Sequence, residues 1–119
     1  MTYDPNNIFA KILRKEIPCD PVYEDEYVLA FNDIHPKAPV HVLVIPKGPF
    51  ESLTEFSQEA LPEEVTAFFR AVGAIVDKLG LEKGGYRAIA NTGLNGGQEV
   101  PHFHMHILAG KPLGPMIGR

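Results

Sequence analysis

The sequence lacks most of the features that mark secreted, membrane-spanning or zinc-cluster proteins. Among 119 residues there is one cysteine, Cys19, and no tryptophan. A lone cysteine cannot form an intrachain disulfide, and there is no C-x-x-C pair for zinc or redox chemistry. No apolar run approaches the ~20 residues of a membrane span, and residues 1–5 carry neither a basic start nor an apolar stretch of signal-peptide length. These absences predict a cytoplasmic protein that has no membrane partner.

Positive charge is also scarce. The chain has 11 Lys and Arg residues against 15 Asp and Glu residues, and its formal net charge is −4. Binding to a phosphate backbone requires a concentrated basic surface, so we expect no nucleic-acid partner. The length fits a single domain, expected over residues 1–119. A sheet covered on one face by so short a chain leaves apolar surface that a second copy could bury.

The apolar periodicity predicts an α+β fold with two helices and five strands, joined mostly by connections short enough for antiparallel pairing. Asn7 is a candidate N-cap for the first helix, and Pro62 and Gly80 suit the two ends of the second. The predicted helices cover residues 8–14 and 62–79; the predicted strands cover 22–24, 28–31, 41–45, 86–90 and 102–108. The tail, residues 112–119, is expected to be irregular.

Three histidines at alternate positions, His102, His104 and His106, dominate the last predicted strand. Residues i, i+2 and i+4 of a strand point to one face, so the imidazoles should line up while Phe103 and Ile107 face the other way. A single histidine on a strand is usually a half-buried polar residue with one hydrogen bond. Three in register are costly to bury without partners, which favours a functional site.

A glycine-bearing loop, residues 93–101, precedes this strand. It exceeds the two to five residues of a minimal hairpin, and its Asn-Gly-Gly stretch can direct several backbone N–H groups to one point. An ordinary wide hairpin loop is the alternative interpretation. No Lys or Arg lies between Arg87 and Lys111, so an anion here would be bound by amides and imidazoles.

Two chemistries suit the histidines. Three imidazoles can hold a catalytic zinc ion with one open position. Alternatively, one imidazole attacks phosphorus while its neighbours fix its tautomer and handle protons. The amide-rich loop favours the second, because it suits a phosphate better than a bare cation.

Segment 102–108, His-Phe-His-Met-His-Ile-Leu, resembles the His-φ-His-φ-His-φ-φ signature of the histidine triad (HIT) superfamily, where φ is apolar. The resemblance covers nearly the whole chain. Segments 8–12, 16–18, 31–34, 39–47 and 96–100 look like the Hint branch, and 111–116 looks like its bacterial members. It implies a five-stranded antiparallel sheet with two helices, in a homodimer whose sheets join into ten strands.

The resemblance also implies a reaction, hydrolysis of the P–N bond of purine nucleoside phosphoramidates, in which AMP or GMP is linked to an amine. No cofactor or metal is implied. His104 would be the nucleophile, His106 would contact the phosphate and leaving group, and His102 and His41 would belong to a hydrogen-bonded relay that orients His104. Asp33 would bind the ribose hydroxyls. The base pocket would be lined by Ile8, Phe9, Ile12, Ile34 and Leu43, and the ribose and phosphate would meet the stretch that contains Asn91, Gly97, Gln98, Glu99 and Val100.

The chain departs from the family pattern at three places, one of which is Pro101, where an aromatic residue is common. Glu99 stands where animal members have a phosphate-binding serine, so its backbone N–H is the expected contact. Ala109-Gly110 replaces a commoner double glycine. Alternative functions within the resemblance are a dinucleoside polyphosphate hydrolase or nucleotidyl transferase, and a nucleotide-binding regulatory dimer; a metal-dependent hydrolase ranks last.

Overall fold

The computed structural model describes residues 3–118 and contains one five-stranded sheet with helices around it. The strands are β1 (Pro21–Glu24), β2 (Val28–Asn32), β3 (Val40–Pro46), β4 (Tyr86–Ala90) and β5 (Met105–Ala109). The helices are α1 (Ile8–Leu13), α2 (Leu53–Glu59), α3 (Pro62–Leu79) and the single turn α4 (Gly93–Gly96). Residues 112–118 contain no helix or strand, and residue 119 lies outside the described residues.

The sheet has the order β1-β2-β3-β5-β4, and every neighbouring pair is antiparallel. The predicted five-stranded antiparallel sheet is therefore confirmed. β5 lies between β3 and β4, so the last histidine of the triad sits inside the sheet rather than at an edge. β1 and β4 are the edge strands.

Two apolar clusters lie on opposite faces of the sheet. On one face α3 packs its buried residues, which include Phe68 and Ile75, over Val42, Val44 and Ile107. On the other face Phe9 from α1 packs over a smaller cluster, Leu29, Phe31, Leu43 and Ile45. α1 is only six residues long. This second face is therefore only partly covered, and it leaves room for a cleft.

The long helix has the predicted bounds, and its one-sided burial agrees with the apolar periodicity. Phe69 shares the apolar periodicity of the helix but is 52% exposed, because Phe68 occupies the inward position. Asn7 caps α1 as predicted, since its side chain accepts a hydrogen bond from the Ala10 N–H. No helix among residues 3–118 has the length and apolar character needed to cross a bilayer.

The prediction of two helices was wrong. α2 is capped by Ser52, whose side-chain oxygen accepts a hydrogen bond from the Glu55 N–H, while the Glu55 carboxylate accepts from the Glu51 N–H. The Ser-x-x-Glu spacing of a capping box was present in the sequence. α4 is a turn within the glycine-bearing loop.

The last strand begins later than predicted, at Met105 rather than His102. The Phe103 N–H donates to the Phe50 carbonyl, and the His102 N–H donates to the Val100 carbonyl, so neither enters the sheet ladder. The alternation of side chains nevertheless holds. Phe103 and Ile107 belong to the α3 cluster, and the histidines lie on the opposite side.

Candidate active site

Most of the predicted site residues border two adjoining cavities on the face opposite α3. The first, here called the apolar lobe, is lined by all five predicted base-pocket residues, Ile8, Phe9, Ile12, Ile34 and Leu43. Asp33 and Val100 also border it. The second, here called the polar lobe, is bordered by His41, Asn91, Gly97 and Lys37. Both lobes are lined by His104, His106 and Glu99, so these three residues lie where the lobes meet.

Strand register brings His41 to His106. His41 of β3 pairs with Leu108 of β5, which makes His106 its diagonal neighbour on the same face. The His41 Nε2 lies 2.9 Å from the His106 Nδ1. The ring of His41 therefore contacts His106, whereas the resemblance had linked it to His104.

A main-chain amide fixes the tautomers of this pair. The Lys37 N–H donates to the His41 Nδ1 at 3.0 Å, so the neutral His41 ring carries its proton on Nε2. That Nε2–H donates to the His106 Nδ1. A neutral His106 must then carry its own proton on Nε2, the nitrogen that faces the cleft.

His104 has the opposite arrangement. Its Nδ1 lies 2.7 Å from the His102 carbonyl oxygen, which can only accept, so Nδ1 carries the proton. The Nε2 of a neutral His104 is therefore an unprotonated lone pair. Phe9 holds the ring by an edge contact, with centroids 5.0 Å apart, and His104 is only 6% exposed. The two central histidines thus present a lone pair and an N–H donor side by side, with ring centroids 5.0 Å apart.

His102 lies outside both lobes and is fully buried. Its Nε2 is 2.8 Å from the Pro46 carbonyl, and its Nδ1 is 2.6 Å from the Tyr3 hydroxyl. The carbonyl requires a donor, so Nε2 carries the proton and Nδ1 accepts from Tyr3. The imidazole of His102 anchors this segment, while the carbonyl of the same residue orients His104.

Burial lowers the pKa of all four imidazoles. It lowers the pKa of His102 to about 4, against the opposing effect of its backbone hydrogen bond. It also lowers the pKa of His106 to about 4, with further lowering from the neighbouring rings of His104 and His41. The pKa values of His104 and His41 are lowered by burial as well. At neutral pH the site consists of neutral imidazoles, as the tautomer assignments require.

Asp33 follows β2 at the rim of the apolar lobe. Its Oδ1 accepts a hydrogen bond from the His35 N–H at 2.8 Å, and its Oδ2 lies 3.4 Å from the His41 Nε2. One carboxylate oxygen thus stabilises the loop, while the other stays beside the histidines at the boundary of the lobes.

The glycine-bearing loop contributes unequally to the site. Gly97 and Glu99 border the polar lobe, as does Asn91 just before the loop. Their contacts with ribose and phosphate remain a prediction of the resemblance. Gln98 borders neither lobe. Its Nε2 donates to the Glu51 and Val100 carbonyls and its Oε1 accepts from the Gly93 N–H, so it holds the loop in shape.

Sequence reasoning missed several residues of the site. Lys37 supplies both the amide that fixes His41 and a cationic residue at the polar lobe, although it lies far along the chain from the cation-free stretch between Arg87 and Lys111. Cys19 and His35 border the apolar lobe, together with Ile17, Pro18, Phe31 and Asn32. Tyr3 reaches His102 from the other end of the chain, a pairing that no local pattern could indicate.

The hydrogen bonds argue against a zinc centre on the triad. Both ring nitrogens of His102 are engaged with Pro46 and Tyr3, so the three imidazoles do not converge on one point. Among residues 3–118, one group could approach a metal ion, Asp33, His41 and His106. Binding there through the His41 Nε2 and the His106 Nδ1 would require a lone pair on each atom, yet these two atoms share a proton.

Comparison with known proteins identifies the family. Residues 14–113 match the model of the HIT domain. The chain is 53% identical to an uncharacterized 13.2 kDa HIT-like protein of Azospirillum brasilense, over 98% of this chain and 95% of that protein. It is 47% identical to the purine nucleoside phosphoramidase of Escherichia coli K12, over 92% of each chain. Among solved structures, it resembles a HIT family hydrolase from Clostridium thermocellum with a TM-score of 0.86 and 41% identity, covering 94% of this chain and 96% of that one. The triad, the sheet and the family match agree, and the chain belongs to the HIT family.

Proposed function

We propose that this HIT-family hydrolase cleaves the P–N bond of purine nucleoside phosphoramidates, releasing AMP or GMP and an amine. The observation that carries the proposal is the pair of opposite tautomers on His104 and His106. Displacement at phosphorus through a covalent intermediate needs a lone pair for attack and a proton for the leaving group, side by side. The 47% identity to a purine nucleoside phosphoramidase supports the choice of reaction.

The proposed first step forms a bond between the His104 Nε2 and phosphorus. The P–N bond breaks with its electron pair on nitrogen, which takes the Nε2 proton of His106 and departs as the amine. Water then attacks phosphorus and the bond to His104 breaks, while the proton lost by the water returns to His106. One hard displacement is thereby divided into two easier ones.

We assign the parts of the substrate to the two lobes. The apolar lobe has aliphatic and aromatic walls from Ile8, Phe9 and Leu43, which suit the faces of a purine. Asp33 lies at the rim of this lobe, between the proposed base position and the histidines. Its Oδ1 accepts from the His35 N–H, and its Oδ2 would accept a hydrogen bond from a ribose hydroxyl. The loop amides at Gly97 and Glu99 would contact the phosphate.

The test is rapid-quench trapping with radiolabelled adenosine 5′-phosphoramidate, beside diadenosine polyphosphate as the competing substrate. We expect the label on His104 by peptide mapping. His104→Ala should lose turnover while still binding AMP, and His106→Ala should retain measurable turnover, lowered ~10²–10⁴-fold by loss of the acid. Label on another histidine, or preference for the polyphosphate, would contradict the proposal.

The same proposal includes a homodimer with a continuous ten-stranded sheet. β4 is an open edge strand, and large apolar side chains are exposed at Phe69, Tyr86 and Leu94. Sedimentation equilibrium at micromolar concentration should give twice the mass of the chain. A single-chain mass would refute this part and leave the chemistry untouched.

A further inference from the structure

Tyr3 contacts the histidine triad from the opposite end of the chain, in a contact that the proposed chemistry does not use. Its hydroxyl lies 2.6 Å from the His102 Nδ1, and the two rings meet edge to face with centroids 5.6 Å apart. Among the hydrogen bonds of residues 3–118, this is the one that the His102 Nδ1 makes. Tyr3 borders neither lobe, so any effect of Tyr3 on the reaction must pass through His102.

The direction of this hydrogen bond is fixed. Burial raises the pKa of the Tyr3 hydroxyl above its ordinary value and lowers the pKa of His102 to about 4, so both groups are neutral at pH 7. Since the His102 Nε2 directs its proton to the Pro46 carbonyl, its Nδ1 is a lone pair and the Tyr3 hydroxyl donates to it. His102 is fully buried, so removal of the hydroxyl would leave a buried acceptor without a partner.

The segment that carries His102 and His104 depends on side-chain contacts for its position. β5 begins only at Met105, so the main chain of residue 102 lies outside the sheet ladder. The His102 ring is instead held at both nitrogens, by Tyr3 and by the Pro46 carbonyl. The carbonyl of His102 lies 2.7 Å from the His104 Nδ1 and keeps the proton there. A displaced His102 would therefore displace the acceptor that sets the tautomer of His104.

The residues next to Tyr3 are bound to both ends of α1. The Asp4 carbonyl accepts hydrogen bonds from the main-chain and side-chain nitrogens of Asn7, the N-cap of this helix. The Pro5 carbonyl accepts from the Arg14 Nη1 at 2.8 Å, at the other end of the helix. The chain around Tyr3 is thus anchored, and its hydroxyl connects α1 to the triad.

We propose that Tyr3 is a positioning residue for the nucleophile: its hydroxyl holds the His102 ring in place, and the His102 carbonyl in turn keeps the His104 proton on Nδ1. The inference rests on the proposed function, in which the His104 Nε2 attacks phosphorus. Without the hydroxyl, the buried Nδ1 of His102 favours other ring positions in which it finds a partner. The carbonyl then moves, the His104 proton is free to shift to Nε2, and the lone pair needed for attack is lost in those molecules.

The test is Tyr3→Phe, which keeps the ring contact with His102 and removes only the hydroxyl. We expect kcat for adenosine 5′-phosphoramidate to fall about tenfold, because a buried acceptor loses its partner. The Kd for AMP should stay the same, because Tyr3 borders neither lobe. Long-range proton–nitrogen NMR spectra of the imidazoles report the tautomers directly. His104 should be protonated on Nδ1 in the parent and partly on Nε2 in the variant.

The matched control is Tyr23→Phe, which removes another tyrosine hydrogen bond, to the Asp25 Oδ2 at 2.9 Å, at a residue of β1 that borders neither lobe. Its kcat and its His104 tautomer should equal the parent's. An unchanged kcat in Tyr3→Phe would overturn the inference, as would a lower kcat with the His104 proton still wholly on Nδ1. If the parent does not hydrolyse the phosphoramidate, the proposed function fails, whereas the tautomer comparison still decides whether Tyr3 positions His104.

Discussion

Protonation of buried His102 should make the stability of the protein strongly dependent on pH between 7 and 4. In the unfolded chain this histidine titrates near 6.5, whereas in the folded protein burial lowers its pKa to about 4. Between these values the unfolded state binds a proton that the folded state excludes, so the free energy of unfolding falls as the pH falls. At pH 5 the difference between the two titrations amounts to about 2 kcal/mol relative to pH 7.

The perturbation is His102→Gln, which removes the titrating group and keeps a side-chain donor and acceptor for the Pro46 carbonyl and the Tyr3 hydroxyl. The assay is urea unfolding at pH 7, 6 and 5 at one protein concentration. The variant should lose about 2 kcal/mol less than the parent between pH 7 and pH 5, whatever its absolute stability. Equal losses in parent and variant, or an NMR titration that shows His102 charged at pH 5.5, would refute the reasoning.

Three further predictions concern the metal question, the ribose contact and a tight turn. Activity should survive exhaustive dialysis against a chelator, and recovery of lost activity on adding Zn²⁺ would contradict the hydrogen-bond assignment. Asp33→Asn keeps an oxygen for the His35 N–H but replaces the other acceptor oxygen with an NH2 donor, so it should raise KM more than it lowers kcat and reduce discrimination between ribose and 2′-deoxyribose. Unchanged discrimination would show that Asp33 only caps its loop. Gly110→Ala should destabilise the fold by ~1–3 kcal/mol in urea unfolding, because φ is +100° and the new Cβ would lie 2.7 Å from the Pro39 Cβ. Gly114→Ala, at a similar φ of +82° with open space around it, is its control, and equal losses would show that the contact with Pro39 is harmless.

Local sequence patterns were sufficient to predict most strands of the sheet and the long helix α3. The run of β-branched residues in β3 and the one-sided periodicity of α3 each report burial directly in the sequence. α2 was missed because only Leu53 and Phe56 mark an apolar face, although the Ser52 capping box was readable. The late start of β5 could not be read, because the Phe103 amide is claimed by the Phe50 carbonyl, a distant partner.

In the candidate site, too, local sequence patterns predicted some features, while distant partners in the fold determine the others. Alternation placed the histidines on one side correctly, but the partners that decide their tautomers are main-chain groups of Lys37, Pro46 and His102. Backbone amides and carbonyls carry no residue-type signal, so their roles emerge only once the chain is folded. The structure also explains why Ala109 can replace the first glycine of the commoner pair. Ala109 is a paired residue of β5, whereas Gly110 is the position where a Cβ would lie close to Pro39.

The hydrogen bond from the Lys37 amide to His41 has a consequence for how the protein can evolve. Every residue type except proline supplies the same N–H, so the proton arrangement of the histidines is insensitive to which side chain occupies position 37. Residue 37 itself, by contrast, borders the polar lobe beside His104 and His106. Substitution at this one position can therefore change the charge and size of the cavity wall while the proton arrangement of the histidines stays the same.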